Sequence, residues 1–218
     1  MANEDNFECN CLTSYFGLVC QSKVLNSTIL KNSTIFTQEQ SQLLKNLTNF
    51  PSETVYTLIY QATKNGFGMS DFHSKCDGIM NTLMIIKTTE SYVFGGFTTQ
   101  DWSKLGSYQS DSNAFLFSLI NPFNQPVKMN LVLPDFAISS GESSITFGYE
   151  IVLNDFSNQN VNYAWIGSLD SYLLPGFVNQ TGSYLVGGNT NFFSLEIEVY
   201  SLNLNRKIIF CKFFFSST

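Results

Sequence analysis

The sequence holds one histidine, His73, three residues before Cys76, so on a helix the two side chains share a face. An imidazole beside a thiol can lower its pKa for redox or nucleophilic work. The plainer reading makes His73 a capping or packing residue and Cys76 a small core hydrophobe, and it is the expected one. Glu196 and Glu198 stand two apart on a strand-like run and point the same way, as paired acid/base carboxylates would. Nothing near them implies a cleft, so an exposed sheet face is expected, from which they are candidate partner contacts. Cys9, Cys11 and Cys20 offer three soft ligands that lack a fourth; free thiols are expected, and neither metal nor cofactor.

Other chemistries fall away on residue counts. A lone His excludes HExxH zinc sites, and no G-x-S-x-G elbow presents a serine to it. Gly66-Phe67-Gly68 lacks a third glycine and does not follow a strand, so it is no dinucleotide turn. No GxxxxGK[ST] phosphate loop occurs. The net charge is −6, from 11 basic and 17 acidic residues, and the bases are too scattered to track a phosphate backbone, so no nucleic-acid partner is expected.

The elements that position these residues follow from pattern. Residues 1–26, with three of the five cysteines, show no period and read as an arm. Ser27–Phe36 reads as a short strand. Thr37-Gln38-Glu39-Gln40 fits a capping box, and Leu43, Leu44 and Leu47 supply the apolar stripe of a helix. Val55, Leu58, Ile59 and Ala62 recur at helical spacing and predict a second helix, ended by Asn65-Gly66. A third is expected over Asp71–Cys76, capped by Ser70 and closed by Gly78.

Beyond it the period changes to two. Leu83–Ile86, Tyr92–Phe97, Ala114–Ile120, Met129–Leu133, Ile145–Phe147, Tyr149–Leu153, Tyr184–Gly187 and Leu195–Leu202 read as strands between turn residues. In the last, Leu195, Ile197 and Val199 are assigned to one face and Glu196, Glu198 and Tyr200 to the other. The expected fold is α+β and predominantly β: a two-layer antiparallel β-sandwich flanked by a few short helices. With 218 residues, 44% hydrophobic and 13% charged, one folded core is expected. The N-terminus does not read as a signal peptide, no apolar run approaches the roughly 18 residues of a membrane span, and five cysteines cannot all pair. A cytoplasmic chain with reduced thiols is expected.

The ordered motifs resemble the TLDc domain family. Leu58-Ile59-Tyr60-Gln61-Ala62-Thr63-Lys64-Asn65-Gly66-Phe67 is similar to the opening of those domains, and Phe72-His73-Ser74-Lys75-Cys76-Asp77 to their FHxxCD segment. Tyr92-Val93-Phe94-Gly95-Gly96-Phe97 followed by Asp101-Trp102, then Ala114–Leu119, Ser171-Tyr172 with Pro175, Tyr184–Gly188 and Glu196–Tyr200 continue the match in order. It covers residues 27–202, between the arm (1–26) and an apolar extension (203–218).

The resemblance implies a two-sheet sandwich with helices at its edges and a non-enzymatic role. Relatives associate with the vacuolar-type proton-pumping ATPase, and several are linked to oxidative-stress resistance. The motif residues Gly66, Phe72, His73, Cys76, Gly95, Gly96, Trp102, Phe117 and Gly187 read as largely architectural. Three departures stand out: Ser144-Ile145-Thr146 precedes Phe147-Gly148 where relatives carry Gly-Pro, the cysteine-bearing arm before residue 27 aligns with no family counterpart, and the tail containing Phe213, Phe214 and Phe215 is too apolar to stay easily in water. Those phenylalanines are further candidate partner contacts. The alternatives left open are a structural part of a large multiprotein assembly, such as a ciliary or cytoskeletal scaffold, and a thiol antioxidant using Cys76. Placement at an organelle membrane or in a cilium would then come through a protein partner.

Overall fold

A computed structural model describes residues 9–14, 17–22, 33–103, 106–159, 164–166, 171–173, 185–186 and 191–204. The N-terminal run, expected as an arm without period, contains a hairpin. β1 (Cys9–Ser14) pairs antiparallel with β2 (Gly17–Ser22), with Cys11 opposite Cys20. Of the strand expected at Ser27–Phe36, residues 27–32 lie outside the described residues, and residues 33–36 form no strand.

α1 (Gln38–Thr48) begins where the capping box places it. Thr37 Oγ1 accepts the Gln40 N–H at 3.3 Å, and Gln40 Oε1 accepts the Thr37 N–H at 3.0 Å, satisfying two donors that the helix start leaves open. Asn49, at φ +57°, ends it.

The second expected helix is corrected. Val55–Gln61 is a strand, β3, and only the single turn α2 (Ala62–Asn65) is helical. The 3.6-residue spacing of four apolar positions was outweighed by the run's Val, Tyr, Thr, Ile and Tyr, which suit a pleated surface, and by a partner strand beside it. α3 (Met69–Cys76) starts two residues before the expected Asp71, with Gly68 at its N-cap. Asp71 is its third residue, and its Oδ2 accepts the Gly68 N–H at 3.1 Å. Asn65 is the last residue of α2 and Gly66 its C-cap, and Gly78 follows α3, both glycines at positive φ.

The remaining strands are β4 (Thr82–Thr88), β5 (Val93–Thr98), β6 (Tyr108–Gln109), β7 (Phe115–Ile120), β8 (Val127–Leu131) and β9 (Ile138–Ser140). They are followed by β10 (Ser144–Phe147), β11 (Ile151–Asn154), β12 (Ala164–Ile166), β13 (Tyr172–Leu173) and β14 (Ser194–Asn203). A seven-stranded sheet runs β13-β8-β7-β5-β4-β14-β3 and a five-stranded sheet β12-β11-β10-β9-β6, antiparallel throughout. Met84, Phe94, Leu116 and Val199 of the larger sheet share one core with Ile138, Ile145, Phe147 and Leu153 of the smaller. This is the expected sandwich.

The larger sheet is buried on its other face as well. Leu83, Ile85, Phe117, Leu119 and Tyr200 pack there with Leu44 of α1. Burial on both faces explains why β4 and β5 read as continuous apolar runs rather than alternating ones. It also explains Gly95-Gly96. A Cβ on Gly95 would strike the Met84 carbonyl and the Phe117 ring, while one on Gly96 would enter the Phe147 ring of the facing sheet at 2.7–2.8 Å. Of the strand expected at Tyr184–Gly187, Leu185 and Val186 are helical and buried, while residues 184 and 187 lie outside the described residues. An apolar run that short does not separate strand from helix by periodicity.

Candidate functional site

The paired carboxylates sit on β14, where the strand bulges. Ser194 lies opposite Thr88 and Glu196 opposite Lys87, so Leu195 has no partner and is 48% exposed. Ile197 and Val199 enter the core between the sheets. Leu195 does not share their face, which corrects the alternation expected of this run.

Glu196, Glu198 and Tyr200 do point together, but the exposed face expected for them is covered: Glu196 is 5% exposed and Glu198 0%. Each carboxylate oxygen is occupied. Glu198 Oε1 accepts the Thr34 N–H at 2.6 Å, and its Oε2 accepts Ser33 Oγ at 2.7 Å and the Tyr200 hydroxyl at 2.9 Å. Glu196 Oε1 accepts the Thr63 and Ile197 N–H groups at 3.1 and 3.0 Å, and its Oε2 accepts the Thr63 hydroxyl. Gln61 Nε2 lies 3.2 Å from Glu196 and 3.5 Å from Glu198. Thr34 Oγ1 is within 3.3 Å of both, and its one proton goes to one carboxylate at a time.

Every one of these donors is neutral. The pair therefore clamps the segment before α1 and the end of β3 onto β14. Charge-assisted hydrogen bonds from these neutral donors offset the desolvation of the two acids.

His73 and Cys76 are both on α3, but both ring nitrogens have partners other than the thiol. Nδ1 lies 2.7 Å from Asp77 Oδ1, and Nε2 3.0 Å from the Gly141 carbonyl oxygen, tying α3 to the turn between β9 and β10. Cys76 is fully buried in the core that contains Phe72 and Trp102. Burial pushes its thiol well above the ordinary value and the Asp77 charge adds to this, the reverse of an activated nucleophile.

Phe72 and Trp102 pack in the same core. Their rings stand 5.5 Å apart, Trp102 packs on Phe147 at 5.4 Å, and Trp102 Nε1 donates to Thr82 Oγ1 at 3.0 Å. Phe117 is fully buried. Among the described residues no group of three or more His, Cys, Asp or Glu could hold a metal ion. The side chains of Cys9, Cys11 and Cys20 and the whole of Phe213, Phe214 and Phe215 lie outside the described residues.

Sequence reasoning missed two buried acids, Asp111 and Glu150. Glu150, in the turn between β10 and β11, has Oε1 accepting the Ser171 and Tyr172 N–H groups at 2.7 and 2.8 Å. It thereby holds the edge strand β13 to the smaller sheet. Burial raises its carboxyl to about 7, against the pull of those two N–H groups. The available signal was a lone acid inside the otherwise uncharged run Phe147–Leu153.

These features define a class: an antiparallel sandwich whose larger sheet is covered on its second face by a helix. The family model for the TLDc domain matches residues 29–203, and the chain belongs to that family. It is also similar, at 30% identity over 64 residues, to the MTOR-associated protein MEAK7 of Danio rerio, a match covering 29% of this chain and 14% of that one. The Xenopus laevis MTOR-associated protein MEAK7 is 39% identical over 51 residues, 22% of this chain and 11% of that one. The matched segments are small parts of both relatives. No helix among the described residues is long and apolar enough to cross a membrane.

Proposed function

We propose that this TLDc domain is a non-enzymatic docking module that binds the vacuolar-type proton-pumping ATPase and adjusts the assembly of its soluble and membrane sectors. The observation that carries the reading is the family match over residues 29–203. The site chemistry agrees with it. The acid pair, His73, Cys76 and Trp102 are all engaged in holding the fold, which leaves the outer surface to recognise a partner. A buried thiol also favours an indirect route to oxidative-stress resistance, through the partner rather than by scavenging.

The module works in the cytoplasm and reaches an organelle membrane through the pump. The test is retention of purified pump sectors on the immobilised full chain at low salt, with and without ATP. Retention supports the reading, and a clean failure in both conditions ends it. The MEAK7 similarity favours a second reading, docking on an mTOR-containing complex, which the same assay with that complex would distinguish.

A further inference from the structure

Charge is distributed unevenly along the chain. Between Leu105 and Asn205 stands one Lys or Arg, Lys128, against eight Asp and Glu, a balance of 1 − 8 = −7. Lys128 is engaged elsewhere, its Nζ 4.0 Å from the Phe115 ring centroid. Asp111, Glu150, Glu196 and Glu198 are buried within the fold, whereas Asp135 is exposed.

Asp135 lies in the middle of a 3-10 turn, Pro134–Phe136, around which three rings from separate segments meet. Tyr108 of β6 stands 5.2 Å from Phe136 and 5.2 Å from Tyr149, and Phe136 stands 5.6 Å from Tyr149, centroid to centroid. They belong to neither core. Tyr149 is 36% exposed, and Tyr108 and Phe136 are half-buried. Val132 and Leu133, at 46% and 40% exposed, precede the turn, and their N–H groups face the Ser171 carbonyl at 2.7 and 3.4 Å. Ser110 Oγ donates to Asp135 Oδ1 at 2.9 Å, tying the exposed carboxylate to the residue that follows β6. The patch is held in shape from several sides.

We propose that this turn docks a protein partner through an Arg or Lys side chain flanked by apolar residues. The cation pairs with Asp135 against the aromatic cluster, and its apolar neighbours cover Val132 and Leu133. The argument is charge complementarity. The segments that build the patch, 106–111, 131–138 and 147–151, carry acids and no base. Ring faces attract cations, and rigid aromatic rings lose little entropy when covered. Exposed apolar and aromatic side chains gathered on one turn are what interaction sites in soluble domains use. The proposal rests on the docking-module reading and names its surface and the chemistry it recognises.

The test is an NMR titration of the full chain with acetyl-Leu-Arg-Leu-amide, read at the Tyr108, Phe136 and Tyr149 ring signals. Acetyl-Leu-Gln-Leu-amide and acetyl-Leu-Glu-Leu-amide are the comparison peptides. Saturable shifts are expected with the Arg peptide, about three- to fivefold tighter than with the Gln peptide and weaker still with the Glu peptide. Asp135→Asn should erase most of that preference, and Tyr149→Ala should reduce all binding. Equal response to the three peptides, no response at these rings, or shifts that follow protein concentration without peptide (a second copy as occupant) would each overturn it. The peptides contain no pump, so failure here and failure of the pump assay are separate results.

Discussion

The Thr34 N–H meets Glu198 Oε1 at 2.6 Å, joining a residue that precedes α1 to one on the central part of β14, 164 positions later. Glu198 is fully buried and its partners are all neutral donors, so this contact is a structural strap closed by a buried charge. Replacing Glu198 with Gln removes the charge and turns an NH2 group toward donors. Urea unfolding is expected to show a loss of about 2–3 kcal/mol, and Ser33→Ala, which deletes one donor to the carboxylate and the acceptor of the Ile35 and Phe36 N–H groups, should also destabilise. An unchanged midpoint for Glu198→Gln would sink the strap.

Glu150 sets a pH dependence of unusual sign. Its carboxyl is raised to about 7 in the fold, above the ordinary 4.5, so between those pH values the folded chain holds more protons than the unfolded one. This group's stabilising contribution is full below pH 4.5 and is lost as pH rises toward 7, by an amount on the order of 3 kcal/mol. Glu150→Gln keeps an acceptor for the Ser171 and Tyr172 N–H groups and cannot ionise. The variant should exceed the parent in stability at pH 8, match it near pH 4.5, and flatten the profile measured by thermal unfolding between them.

Gly95 tests the packing of β5 against its neighbours. A methyl group there meets the Met84 backbone carbonyl, which cannot rotate aside, so Gly95→Ala is expected to cost about 2–3 kcal/mol or to prevent folding. Gly78→Ala is the useful comparison. Its added Cβ meets nothing within 4 Å, so its cost comes from the positive φ alone and should be near 1 kcal/mol. Equal midpoints for the two variants would contradict the close approach.

Cys76 should behave as a core residue. With the thiol buried and its ionisation suppressed, iodoacetamide labelling of the native chain at pH 8 should be slow at this position and rise only as denaturant opens the fold. Cys76→Ser places a hydroxyl in that core and is expected to lower stability by about 1–3 kcal/mol. Peroxide consumption by the folded chain should not change. Rapid native labelling would revive a reactive thiol.

Local chemistry made much of this protein legible before any tertiary contact was known. The Thr37–Gln40 box starts its helix with its own side chains, and Gly66 and Gly78 stand where the backbone takes a positive φ. The apolar runs of β4, β5 and β7 are long and rich enough in β-formers to declare themselves. Tertiary structure decided the rest wherever local signals tied. Val55–Gln61 is a strand because β14 lies beside it, and Leu185 and Val186 are helical although their run reads equally as strand. Glu196 and Glu198 are buried because a bulge at Leu195 and a segment more than 160 residues away close over them. A side chain's type is written in the chain, but its surroundings come from residues that folding alone brings near.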